Sequence, residues 1–181
     1  MKKTRCRSRG FSLVEIMTTV AIIGILASMA MPAFNKYVRR TKTSEALMNL
    51  RKIFDGSVEY FSYDFTTRSG FQVKRRFPAP ASPTPGMRFC IDNATGGRFK
   101  TNPTVWDTPT WRALSFGISD PHYYSYQYDS EGLEKASKFT ARALGDLNCN
   151  QVFSTFERVG SVNDNLNVVG GGGIFSYQEL E

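Results

Sequence analysis

Residues 16–34 form a 19-residue run without a single charge, and no other feature narrows the possible folds of this chain as much. At 1.5 Å per residue such a run spans about 28 Å as a helix, close to the roughly 30 Å hydrocarbon core of a bilayer. Lys2, Lys3, Arg5, Arg7 and Arg9 precede it, with no acid among the first ten residues. A basic stretch followed by a long apolar one marks targeting or membrane insertion. Across residues 11–34, FSLVEIMTTVAIIGILASMAMPAF, the only charge is Glu15.

Three ordinary readings of this segment each leave something unexplained. A secretory signal cleaved after Ala30 has small residues at Ser28 and Ala30, but the apolar run is too long and contains Glu15. A twin-arginine signal fails because Gly10 follows Arg9. A plain anchor gives Glu15 no role, although an acid in a membrane span is costly and usually marks function. The segment Arg9-Gly10-Phe11-Ser12-Leu13-Val14-Glu15 resembles the processing site of type IV prepilins and the related pseudopilins.

The resemblance implies cleavage by a prepilin peptidase between Gly10 and Phe11, and N-methylation of Phe11 by the same enzyme. It also implies that Glu15 pairs with the amino terminus of a neighbouring subunit, turning an unfavourable intramembrane charge into an assembly key. The partners implied are further copies of the chain or other pilins, the peptidase and an inner-membrane assembly platform. The precursor would sit in the inner membrane and the filament in the periplasm or on the cell surface. Counting charges alone does not orient the span, since Lys36, Arg39, Arg40 and Lys42 follow it.

Beyond the span, Phe34, Tyr37/Val38, Thr41, Leu47/Met48, Leu50/Arg51, Phe54, Val58 and Phe61 recur every three or four residues. That spacing predicts a helix continuing from Phe11 to about Ser62, with one apolar stripe facing a head. Gly24 and Pro32 weaken it, either as a tolerated kink or, as the resemblance implies, as a stretch that loosens on assembly. Residues 66–117 read as loop-rich, with four prolines in FPAPASPTPG. Alternation in YYSYQYDS, in KFTARALGD and around residues 152–157 then predicts an antiparallel meander of three or four strands. The expected architecture is α+β, a long helix on an antiparallel sheet, which is also the pilin fold. The expected divisions are a leader at 1–10, a core helix at 11–34, its amphipathic continuation at 35–62 and a β-rich head at 63–181.

Three cysteines and one histidine do not match the common zinc-finger spacings. Loss of the leader removes Cys6, and the address implied by the resemblance permits a disulfide between Cys90 and Cys149, the alternative being two separate thiols. Asp146, Asn148, Asn150 and Glu157 come close to the spacing of a calcium loop, although Gln151 stands at the glycine position. A polar hairpin turn is the competing reading of those residues. The aromatic group of Trp106, Trp111, Phe116 and residues 123–128 suits either a core or a glycan-binding surface. Lys74-Arg75-Arg76 reads as a solvated loop rather than a nucleic-acid contact, and Asn93-Ala94-Thr95 is a glycosylation sequon. No catalytic constellation is present in the sequence, and no cofactor is expected, calcium at residues 146–157 being the one candidate and the polar turn the favoured reading.

The function expected from these readings is a structural subunit of a type IV pilus. The alternatives are a minor pilin, a type II secretion pseudopilin, or a membrane-anchored binding module that never polymerises. The formal charge of +7 belongs mostly to the leader. Without its five basic residues the chain keeps eighteen against sixteen acids, or +2, and the case for nucleic acid fades.

Overall fold

A computed structural model describes residues 10–87, 98–100 and 102–180. It forms two compact units, Met1–Val38 and Arg39–Glu181. Helix α1 runs from Leu13 to Ser62 and passes through Pro32 without a break. Proline removes the bond that the Ser28 carbonyl would accept. The Ser28 hydroxyl meanwhile donates to the Ile25 carbonyl at 2.7 Å.

In the first unit the helix is apolar on every side and left exposed by the described residues. Thirteen large apolar residues between Phe11 and Phe34 are each at least half exposed, from Ile16 at 50% to Leu13 and Met29 at 75%. This is the one helix among the described residues long and apolar enough to cross a membrane.

In the second unit the sheet is antiparallel throughout, in the order β1-β2-β3-β4-β5, with β6 also paired to β4. Its strands are β1 (Ala81–Thr84), β2 (Tyr124–Glu131), β3 (Lys138–Gly145), β4 (Ser154–Val162), β5 (Val168–Gly170) and β6 (Phe175–Tyr177). The central meander β2-β3-β4 has the strands that alternation predicts. Tyr124, Tyr126 and Tyr128, then Phe139, Ala141 and Ala143, then Ser154 and Phe156 point into the core. The α+β architecture is therefore the observed one.

Strand β1 lies inside the proline-rich stretch read as loop. It sits at the edge of the sheet, where Pro83 forfeits no ladder bond on its open side. A short helix α2 (Pro109–Ala113) also falls in that stretch. Pro109 occupies its first turn, and the Thr108 hydroxyl accepts from the Trp111 N–H.

The buried face of α1 corrects the expected stripe. Thr43, Ala46, Asn49, Leu50, Ile53, Gly56, Ser57 and Phe61 are buried, whereas Met48 is 62% exposed and Leu47 39%. Only Leu50 and Phe61 belong to both sets. The tyrosines of β2 are the reason. Asn49 Nδ2 donates to the Tyr126 hydroxyl at 2.8 Å, and the Ser57 and Tyr128 hydroxyls are 3.1 Å apart. A buried phenol needs a polar partner, so the helix offers polar side chains there. Gly56 permits close approach: a Cβ at that position would stand 2.2 Å from the Leu114 carbonyl oxygen.

Candidate assembly site

The segment that resembles a processing site lies at the start of α1. Gly10 and Phe11 precede the helix in a non-helical, exposed stretch, and residues 1–9 of the leader lie outside the described residues. The helix begins at Leu13 rather than at the expected Phe11, because Ser12 caps it. The Ser12 hydroxyl accepts from the Glu15 N–H at 3.2 Å, and the Ser12 carbonyl accepts from the Ile16 N–H at 3.3 Å. Ser12-Leu13-Val14-Glu15 is thus half of a capping box, with Ser12 as the cap and Glu15 three residues on. Ser12 is a residue that the sequence reading missed, although the S-x-x-E spacing signals it.

Glu15 stands in the first turn, where the exposed N–H groups favour a negative charge. Its backbone carbonyl accepts from the Thr18 and Thr19 hydroxyls, both at 3.0 Å. Its carboxylate makes no ion pair with any described residue. Around it, Leu13, Val14, Ile16 and Met17 are exposed. The chemical content of the site is one acid with an open carboxylate, held at the head of a bare apolar rod. At Gly24, lower on the same helix, a Cβ would meet nothing within 4 Å.

The other singled-out residues are placed as follows. Asp146 Oδ1 accepts from the N–H groups of Cys149 (2.7 Å) and Asn150 (3.2 Å), and Oδ2 from that of Gln151 (3.0 Å). Asn148 and Asn150 each close an Asx turn onto the N–H two residues on. Glu157 lies away from this loop on β4, paired with Arg142 of β3, which also holds Asp129. The residues of the calcium expectation are therefore divided between a backbone-capping turn and an ion-pair row. Among the described residues no three of His, Cys, Asp and Glu are grouped as metal ligands. Cys90, the expected partner of Cys149, lies outside the described residues, as does the sequon at Asn93.

The aromatic group is core. Trp106, Trp111, Phe116, Tyr124, Tyr126 and Tyr128 are all at most 6% exposed. Trp106 packs edge-on to Trp111 and Phe116 at 5.5 and 5.3 Å. His122 is 2% exposed, with Nδ1 3.0 Å from the Asp120 carbonyl, so burial holds its pKa below 6.5 and the ring neutral.

Glu45 is a further acid on α1 that the sequence did not single out. Both of its carboxylate oxygens accept from the Tyr123 N–H, at 3.0 and 3.3 Å. Burial raises its pKa above 4.5. The N–H groups of Tyr123 and Tyr124, the Arg98 charge and the Tyr126 hydroxyl offset this only in part. Burial also lifts the Tyr124 hydroxyl to about 12.

Residues 5–31 match the family model for the prokaryotic N-terminal methylation motif. The chain is 45% identical over 74 residues to the type IV major pilin protein PilA of Myxococcus xanthus, covering 38% of this chain and 34% of that protein. It is 56% identical over 39 residues to the type IV major fimbrial protein FimA of Dichelobacter nodosus, 22% of this chain and 24% of that one. Against the type IV major pilin protein PilE1 of Neisseria gonorrhoeae it is 40% identical over 53 residues, 29% and 32% of the two chains. The chain thus spans about a third or less of the length of these curated relatives. No solved structure matches it. The resemblance to type IV pilins read at residues 9–15 is supported by the methylation motif and by these relatives together.

Proposed function

We propose that the chain is a structural subunit of a type IV pilus, cleaved after Gly10, N-methylated on Phe11 and polymerised through the first half of α1. The observation that carries this reading is the bare apolar helix directly behind the methylation motif. A fully buried aliphatic side chain is worth about 1.5–3 kcal/mol. Thirteen half-exposed ones therefore leave on the order of 20 kcal/mol unrealised in water. Lipid can take up that surface before assembly and neighbouring helices can take it up afterwards.

Glu15 supplies register. In a bundle of such helices its open carboxylate is unfavourable unless a cation meets it, and cleavage creates one, the secondary ammonium of N-methyl-Phe11 on an adjacent copy. The exposed, non-helical Gly10-Phe11 stretch ahead of the Ser12 cap suits a peptidase, which needs an accessible, non-helical bond. The stretch from Gly24 to Pro32 is where the helix can loosen, since Pro32 leaves a carbonyl unbonded and Gly24 adds backbone freedom. The role proposed is structural, with the chain acting as substrate of the peptidase and of the assembly platform.

Mass spectrometry of sheared surface filaments tests this. The expected result is a chain beginning at N-methyl-Phe11. Gly10→Val should accumulate unprocessed precursor, and Glu15→Ala should be processed yet stay out of filaments. Normal filaments from Glu15→Ala would overturn the register role, and a mature chain starting elsewhere would overturn the processing.

A further inference from the structure

Two features of the head lie on opposite sides of the sheet. Beside β1, a cavity of about 470 Å³ opens among Tyr60, Phe77, Pro78, Pro80 and Pro109, with Arg76 also in its lining. Its walls are stiff. The prolines have fixed φ, and the carbonyls of Pro78 and Ala79 already accept from the Ser130 and Thr110 hydroxyls. Glu131, also lining the cavity, is paired with Lys138, whereas Arg76 forms no ion pair among the described residues. Such a groove suits a flat apolar ring with a negative charge beside it.

That combination stands on the far side of the sheet. On β6, Phe175 and Tyr177 are 61% and 58% exposed, an unusual surface for two aromatics in one three-residue strand. They pair with Glu157 and Thr155, whose side chains lie on the face away from the core. Glu179, two residues on, is exposed and, among the described residues, accepts from the Ser176 hydroxyl and forms no ion pair.

We propose that these surfaces fit each other between copies: Phe175 and Tyr177 of one head seat in the proline-walled groove of the next, with Glu179 against Arg76. The proposal rests on the filament reading above and adds a second contact to it. Complementary patches on opposite sides of one subunit meet head to tail, and such a contact repeats along an open polymer wherever its rotation does not close a ring. Two aromatic side chains bury at most about 150–250 Å² each, far below the roughly 1,000 Å² of an independent interface. The contact therefore does not dimerise free subunits. It stiffens a polymer that the helices already hold.

Cysteine cross-linking in sheared filaments tests it. Ala79→Cys combined with Gln178→Cys, which leaves Phe175 and Tyr177 in place, should give, on oxidation, a covalent ladder of subunits on a non-reducing gel. Either single variant should give none. Filaments that form normally but yield no ladder would overturn the contact, whereas absence of filaments from the unaltered chain would instead sink the polymer reading. In addition, Arg76→Glu should lower the shear that filaments withstand, and Glu179→Arg in the same chain should restore it. Failure of the swap to restore it also counts against the contact.

Discussion

Gly56 offers the sharpest test of how α1 sits in the head, because two effects of known size oppose each other there. Replacing a helix-interior glycine with alanine ordinarily stabilises by about 1 kcal/mol through backbone entropy. Here the added Cβ would stand 2.2 Å from the Leu114 carbonyl oxygen and 3.0 Å from its carbon. Ordinary contact begins near 3.4 Å, so helix and loop must part by about 1 Å. Neither side yields easily. Leu114 is 2% exposed at the end of α2, and its neighbour Trp111 is fully buried with Nε1 bonded to the Thr84 hydroxyl at 3.1 Å. Overpacking of this kind costs about 1–3 kcal/mol. The gap it opens also weakens the Asn49–Tyr126 and Ser57–Tyr128 hydrogen bonds, each worth about 1 kcal/mol. Set against the gain in propensity, Gly56→Ala should destabilise the head by about 1–3 kcal/mol, or several degrees of melting temperature at this size. Thermal melts of the full chain in detergent, followed by near-ultraviolet circular dichroism of the tryptophans, would read it. A melting temperature equal to or above that of the parent would show that propensity dominates and that the helix does not press on Leu114.

Two further outcomes follow from the same geometry. Burial raises Glu45 above 4.5, so the folded head holds this proton more tightly than the unfolded chain; its contribution to stability falls as pH rises from 4.5 through the raised value and is regained on acidification. Glu45→Gln keeps an oxygen for the Tyr123 N–H and should flatten that part of the pH–stability curve, so an unchanged slope in urea titrations would remove Glu45 as its source. Millimolar calcium should leave the melting temperature unchanged, because Asp146 is engaged by three N–H groups and Glu157 by Arg142; a calcium-dependent rise would show these side chains regrouping around the ion.

The strands and the helix differ in how openly the sequence announces them. Tyr124, Tyr126 and Tyr128 alternate with polar residues, and so do Phe139, Ala141 and Ala143; period two survives because each strand has one wet face. Strands β1, β5 and β6 have four residues or fewer, too short for any period to show. They exist because a longer neighbour offers an unpaired edge. The helix misleads in the opposite way. Leu47 and Met48 look like part of a core stripe, yet both are exposed and the buried positions include Thr43, Asn49 and Ser57, which carry no apolar signal.

What the sequence by itself determined is the N-terminal part: an apolar run of membrane length, a basic leader, a glycine before the start of the run, and one acid within it. Those properties belong to single residues and near neighbours, so they are legible without a folded partner. Only the tertiary structure decided which face of α1 is buried, because phenols on a strand some 75 residues away select the polar side chains that meet them. It alone brought Glu45 to the N–H of Tyr123, and set a proline-walled groove and an exposed aromatic pair on opposite sides of one sheet. Such pairings depend on distance in space, which short-range periodicity does not encode.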